Sequence, residues 1–316
     1  MTRKTVLIYN PAAGPWDMTR PLKRLATQLG NHGWQVELVQ TSQPGDTTRQ
    51  VAKAAASGVD IALIAGGDGT INEAANGLRG TETVLGIIPV GTGNILAHQL
   101  EMPTLSLVAP LQVRQVADAL LSGRVQRVDL GTVNDRAFIC WAGLGLDAEI
   151  TAQMEPRTKQ MKRLRTLPYI IAGFTVASEY RGVRSSLVIE DRVIRTRALM
   201  IVASNIQLYA AFFQIAPRAK MDDGLLDIFV FKGLGPSYAL RHAILSLQGR
   251  HVNSPDVMHA LARHMTVETV PSVAVHVDGD PYGSTPAELH IAPAQLRLLV
   301  PEGAPASLFS QPPEPL

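Results

Sequence analysis

The chain has 316 residues, of which 46% are hydrophobic and 18% charged, and its net charge is +2. Such a length and apolar content bury a large core, most simply as two domains, and exclude a disordered chain; the near-neutral charge gives no support to nucleic acid as a partner. The single cysteine, Cys140, excludes an intrachain disulfide and a cysteine-clustered zinc site, and its apolar surroundings in "AFICWAGLG" make it a core residue.

The first part of the chain alternates strand and helix signals. "TVLIYN" (5–10) reads as a buried strand, followed by a helix whose apolar face is Leu22, Leu25, Ala26 and Leu29 and which stops at Gly30. "QVELVQT" is a second strand. "DTTRQVAKAAASG" is a second helix, with Asp46 as its expected N-cap and Gly58 just past its end. In "IALIAGGDGTINEAANGL" the apolar run 61–65 suits a strand buried on both faces, and Ile71, Ala74, Ala75 and Leu78 fall on one helical face. "TVLGIIPVGTGNILAHQL" repeats this plan, and "RQVADALLSG" adds a closing helix. Alternation of this kind means a parallel sheet covered on both faces.

From Arg127 onward the pattern changes to hairpins. "QRVDLGTV-NDR-AFICWAG" and "SSLVIE-DR-VIRTRALMIVAS" both read as strand, turn, strand. More strands are expected at "LLDIFVF", "HMTVETV", "SVAVHVDG" and "QLRLLVP", with helices near 150–180 and at "SYALRHAILSLQGR". The expected organisation is an α/β domain over 1–127 and a β-rich, sandwich-like domain over 128–300. Residues 301–316 form a Pro-rich tail, loose or packed back on the first domain. No secretory signal is evident at the N-terminus and no apolar stretch reaches the length of a membrane span, so the expected location is cytoplasmic, with room for a peripheral visit to the inner membrane face.

Two glycine-rich turns, Gly66-Gly67-Asp68-Gly69-Thr70 and Gly91-Thr92-Gly93-Asn94, end consecutive strands of the parallel sheet, where open α/β folds bind ligands. "YNPAAG" ends the first strand and Thr41 the second. Neither turn has the Walker or Rossmann spacing, so a phosphate grip would come from main-chain amides and hydroxyls; the plainer reading is tight turns. An acidic Asp68 in such a turn repels phosphate unless it holds a metal or takes a proton. "HVDGDPYG" follows an alternating strand and offers Asp278 and Asp280 to a cleft, or is an ordinary turn. "RAKMDDGLLDIFVF" combines carboxylates with a turn whose carbonyls suit a hard cation, or is a plain hairpin turn. Arg157, Lys159, Lys162, Arg163 and Arg165 form a basic run that could meet an anionic lipid surface or be a solvated helix face. His98, His242, His251 and His259 show no metal-ligand spacing.

The segments "NPAAG", "GGDGTINEAANGL", "GTGN", "DDGLLD" and "VDGD", in this order, resemble diacylglycerol kinase catalytic domains of the soluble bacterial type, relatives of sphingosine and NAD kinases. The resemblance spans about residues 4–300. It implies a NAD kinase/lipid kinase-like fold that transfers the γ-phosphate of ATP to a lipid hydroxyl, with Mg²⁺. It implies that ATP is bound by Asn10, Thr41, Gly66, Gly67, Asp68, Gly69, Thr70, Asn72, Glu73, Gly91, Thr92, Gly93 and Asn94. By the same resemblance Asp68 acts through Mg²⁺ or the reacting hydroxyl, and Asp280 or Asp278 is the general base. A structural Mg²⁺ is implied on the Asp223 side chain and the carbonyls of Lys220 and Leu225. The implied partner is a lipid substrate, with a homodimer left open. Three departures mark this chain: relatives usually carry D-G-E where it has D-G-D, Asp where it has Ile95, and a glycine cluster where it has "YAAFFQIAP" with Phe212 and Phe213. The alternatives are a NAD kinase and a catalytically silent lipid- or nucleotide-binding protein.

Overall fold

Apolar runs buried on both faces require a sheet covered on both sides, and the first part of the chain supplies one. The computed structural model describes residues 2–10, 18–90, 93–105, 110–153, 180–210 and 213–316. These fall into two compact units, Met1–Val128 with Ala294–Leu316, and Asp129–Pro293.

In the first unit, β1 (Arg3–Tyr9), α1 (Thr19–Gly30), β2 (Trp34–Gln40), α2 (Asp46–Ala56), β3 (Ile61–Gly66), α3 (Asp68–Leu78), β4 (Val84–Pro89), α4 (Ile95–Gln99) and α5 (Pro110–Leu121) follow in order. β1 pairs in parallel with β2 and β3, and β3 with β4, giving the order β2-β1-β3-β4. Every residue of β3 and β4 is buried, whereas edge strand β2 alternates, as expected of inner and outer positions in a parallel sheet. The helices bury the stripes their periodicity marks: Leu22, Leu25 and Leu29 on α1, and Ile71, Ala74, Ala75 and Leu78 on α3. Each such leucine contributes about 1.5–3 kcal/mol on leaving water.

Asp46 is not the N-cap of α2. The cap is Gly45, in the left-handed region at φ 81°, and Asp46 stands in the first turn. Its Oδ2 accepts from the Ser42 amide (2.8 Å), the Ser42 hydroxyl (2.7 Å) and the Gln43 amide (2.9 Å), so it ties the preceding loop to the helix. These bonds, the Ser42 hydroxyl first, hold the Asp46 carboxyl well below the usual carboxylate range. The carboxyl is depressed in the folded state, so its stabilisation is complete above the unfolded value near about 4 and is lost as pH falls through the folded one. Asp46→Ala is therefore expected to lower the urea midpoint at pH 7, and its deficit against the wild type shrinks as the medium is acidified below about pH 4.

The second unit is antiparallel. It contains the end of β5 (Arg124–Val133), then β6 (Arg136–Phe138), β7 (Trp141–Gly145), α6 (Leu146–Gln153), β8 (Val183–Ile189), β9 (Arg192–Ser204), β10 (Leu208–Tyr209), β11 (Phe213–Gln214), β12 (Leu226–Lys232), α7 (Gly235–Leu247), β13 (Val257–Ala262), β14 (His264–Val270), β15 (Ala274–Val277), β16 (Asp280–Ser284) and the start of β17 (Ala287–Val300). β9 is the spine: its first half pairs with β8, its second half with β7 and β12. Leu187, Ile201, Ile228, Val230, Val267 and Leu289 meet in the core between strands. The first expected hairpin closes only through β6, because β7 leaves it to pair with β9 and β15. β13 and β16 were not foreseen: "VMHALA" alternates weakly and "DPYGS" carries Pro and Gly.

β17 passes from the second unit to the first at Ala294, which has φ 53°. Toward its end, Arg297 and Leu298 pair in parallel with Val84 and Leu85 of β4. The tail is not loose. Leu308 is fully buried, β18 (Glu314–Pro315) pairs with β5, and Arg3 donates to the Leu316 carbonyl at 2.6 Å. Among the described residues no helix is long and apolar enough to cross a membrane.

Candidate active site

The parallel strands of the first unit stay stitched one residue beyond their ends. The Asn10 amide donates to the Ala65 carbonyl (3.3 Å), Thr41 to Tyr9 (3.0 Å) and Val90 to Gly66 (3.4 Å). Asn10, Thr41 and Gly66 therefore stand together at the carboxyl edge of the sheet. Gly66 has no room for a side chain: a Cβ there would lie 2.5 Å from that of Thr70. Gly67 caps α3 in extended conformation, and Asp68, Gly69 and Thr70 form the first turn.

The Asp68 carboxylate reaches to the next turn. Its Oδ1 accepts from the Ile95 amide at 2.7 Å, and a Cβ on Gly93 would stand 2.7 Å from its Oδ2. Asn94 is buried and left-handed (φ 50°), a conformation asparagine tolerates, and this turns the Ile95 amide toward Asp68. The grip uses the main chain of Ile95, so its apolar side chain does not disturb it. Glu73 Oε1 accepts from the Gly45 amide (2.9 Å), and Asn72 is buried and accepts from Asn76 (3.2 Å); both bonds brace α3. Gly91 and Thr92, the "PAAG" of the first turn, the basic run from Arg157 to Arg165 and Phe212 lie outside the described residues.

In the second unit the segment 220–227 draws four carboxylates together. Asp223 Oδ1 accepts from the Leu225 amide (3.0 Å), and the buried Asp129 accepts from the Gly224 amide (2.6 Å). Burial pushes the Asp223 carboxyl up, and Asp227, Asp129 and Asp222 add to this, against the pull of the Leu225 bond. Such crowding of negative charge in a half-buried turn is what a hard divalent cation relieves, so the residues present fit Mg²⁺.

The D-G-D segment is a two-residue hairpin turn between β15 and β16, with Asp278 at φ 48° and Gly279 at φ 84°. The two aspartates differ completely. Asp278 is buried and its carboxylate accepts three amides, from Ile139, Cys140 and Trp141, all at 2.9 Å. Asp280 has a side chain 40% exposed and pairs with Arg136 at 3.2 Å, whose guanidinium lies 5.5 Å above the Tyr282 ring. Behind the turn, buried His276 donates from Nε2 to Asp147 Oδ2 (3.0 Å) and accepts the Gly279 amide on Nδ1 (3.3 Å), while the Tyr209 hydroxyl donates to the same Asp147 oxygen. The sequence reading missed Asp147 and His276; the signal for His276 was its place two residues before the turn in H-x-D-G-D.

The model of the diacylglycerol kinase catalytic domain matches residues 4–133, and that of the YegS C-terminal NAD kinase beta sandwich-like domain matches residues 142–300. The second model alone matches half of the chain, and the chain belongs to the family that joins these two domains. Membership makes it a lipid kinase, a phosphotransferase with an α/β domain followed by a β sandwich-like one. Its relatives in this family include a diacylglycerol kinase of Bacillus subtilis (strain 168), 27% identical over 288 residues that cover 90% of this chain and 92% of that one. A diacylglycerol kinase of Staphylococcus saprophyticus matches to the same extent. A solved diacylglycerol kinase from Bacillus anthracis superposes with a TM-score of 0.72 at 22% identity, covering 96% of this chain and 98% of that one, a likeness of fold. Another Bacillus anthracis structure reaches 0.77 at 25% identity, over 96% and 99% of the two chains.

Proposed function

We propose that the protein transfers the γ-phosphoryl group of ATP to a hydroxyl of diacylglycerol or a similar lipid. The observation that carries this reading is Asp68, a carboxylate held by the Ile95 amide at a strand end of the kinase domain, where a nucleotide site lies in folds of this kind. Gly66, Gly67, Gly69, Thr70 and Gly93 contribute main-chain amides and the Thr70 hydroxyl for the phosphates, Asn10 and Thr41, whose amides are used between the strands, contribute their side chains, and Asn72 and Glu73 keep α3 in place.

The lipid oxygen forms a bond to the γ-phosphorus, the bond from that phosphorus to the ADP oxygen breaks, and the hydroxyl proton passes to Asp280. Asp280 takes this role over Asp278 because the Asp278 oxygens are occupied by three amides. Asp278 and His276 act as positioning residues, anchoring the turn that presents Asp280. Asp223 with the carbonyls of Lys220 and Leu225 would hold Mg²⁺, which when bound supplies charge neutralisation and ties the turn. The reaction is placed in the cytoplasm, at or near a membrane surface that carries the lipid.

The test is transfer of labelled γ-phosphate from ATP with Mg²⁺ to a panel of lipids that also includes NAD. Label in diacylglycerol or another lipid alcohol supports the reading; label in NAD alone overturns it in favour of a NAD kinase, and absence of label throughout in favour of a silent binding protein. In the same assay Asp223→Asn is expected to raise the Mg²⁺ concentration for half-maximal activity by about tenfold, because the half-buried turn loses an anionic ligand. An unchanged Mg²⁺ dependence would leave Asp223 as a turn residue only.

A further inference from the structure

Away from these residues, β14 and β17 bring a second set of ligating groups together on one face. His264 and His290 are directly opposite in the antiparallel register, and Glu288 lies two residues before His290, hence on its side of the strand. One carboxylate oxygen, Glu288 Oε1, stands 3.2 Å from His264 Nε2 and 2.9 Å from His290 Nε2. The imidazole rings are stacked with centroids 4.3 Å apart and planes inclined by 23°. Ligand atoms of the three side chains all fall within 4.8 Å of one another. We propose that His264, Glu288 and His290 form a binding site for a divalent transition metal of the zinc type, separate from the Mg²⁺ turn at Asp223.

The chemistry of the donors selects the ion. Two imidazoles with one carboxylate suit Zn²⁺, whereas Mg²⁺ prefers oxygen ligands alone. Bonds of about 2.0–2.2 Å in a tetrahedron place neighbouring ligand atoms roughly 3.3 Å apart. The carboxylate already stands near that distance from both rings. The main chain beneath the ligands is held independently. The Glu288 amide donates to Asn134 Oδ1 (3.1 Å), its carbonyl accepts the Asn134 amide (2.8 Å), and the His264 amide donates to Glu190 Oε1 (3.3 Å). With the backbone fixed, metal binding requires only side-chain adjustment, and the partial exposure of all three groups gives an ion direct access. In the metal-free protein the Glu288 oxygen accepts from both rings. Zn²⁺ replaces those two bonds: each neutral ring binds through Nε2 with its proton moved to Nδ1, and the fourth tetrahedral position is left to water. The metal thereby straps β14 to β17.

Titration calorimetry of Zn²⁺ into tag-free protein tests this, with Asp223→Asn, Glu288→Gln and the pair His264→Ala and His290→Ala measured alongside. The expected result is one Zn²⁺ per chain that excess Mg²⁺ does not displace. Binding should be kept in Asp223→Asn, weakened about tenfold or more in Glu288→Gln and lost in either histidine variant. Zn²⁺ should also raise the melting temperature of the wild type and not of His290→Ala. Circular dichroism confirms that the exposed substitutions leave the fold intact. Failure of the wild type to bind, or equal binding by wild type and histidine variants, overturns the proposal. Neither outcome bears on phosphoryl transfer.

Discussion

Asp68→Asn is expected to lower turnover with every lipid acceptor by on the order of 10³-fold while moving the melting temperature by no more than about 2 °C. The asparagine keeps an oxygen for the Ile95 amide and the volume that fits against Gly93, so the two glycine turns stay linked. What it removes is the negative charge that organises phosphate and metal in the proposed reaction. Asp68→Ala removes both. The Ile95 amide then loses its acceptor, at a cost of about 1–3 kcal/mol, so this variant should be inactive and measurably less stable. The pair of variants separates charge from scaffolding, with initial rates and thermal melts as the readouts. An Asp68→Asn protein with near wild-type turnover would reduce Asp68 to a loop clamp and remove it from the chemistry.

The largest expected effect on stability comes from the neighbouring carboxylates of the D-G-D turn, and the two substitutions should behave as opposites. Asp278→Asn points an NH₂ group at amides that are themselves donors, since one amide oxygen cannot serve three N–H groups fixed on two sides of a carboxylate. Hydrogen bonds to a charged acceptor are worth about 1.5–3 kcal/mol each, so a total loss of about 3–5 kcal/mol is expected, read as a fall of roughly 10 °C in melting temperature. Asp280→Asn weakens a part-exposed pair with Arg136, worth about 0–1 kcal/mol, and should melt close to the wild type. Its turnover is expected to fall by about 10²–10⁴-fold, the range for loss of a general base. Asp280→Glu should retain activity, because it keeps a carboxylate at that place with one methylene more reach. A catalytic loss in Asp278→Asn without loss of stability, or an active Asp280→Asn, would reverse the two assignments.

Local strings carried some of these features and not others, for physical reasons. The apolar stripe of α3 and the doubly buried β3 repeat at short range, so periodicity alone places them, and with them the position of Asp68 at a strand end. The role of Asp46 was not legible, because it depends on Gly45 adopting a left-handed cap that turns Ser42 and Gln43 toward the carboxylate. The string D-G-D announces a turn but cannot say which aspartate is consumed by it; the deciding amides belong to Ile139, Cys140 and Trp141, far earlier in the chain. The same holds for His264 and His290, whose separation in sequence hides a direct cross-strand pairing. β16 was missed because Pro281 and Gly283 argue locally against a strand that the hairpin with β15 nevertheless imposes.

The return of β17 and residues 301–316 to the first unit has a consequence for synthesis. The sheet that carries Asp68 takes its last parallel strand from Arg297 and Leu298, and β5 receives Glu314 and Pro315. A ribosome must therefore have made almost the whole chain before the first unit can close its core, whereas the contiguous run 129–293 is complete earlier. The half that begins first finishes last. A nascent chain stalled before residue 294 would display the uncovered edge of β4, an apolar strand with unpaired amides, and would depend on chaperones to keep that edge from pairing elsewhere.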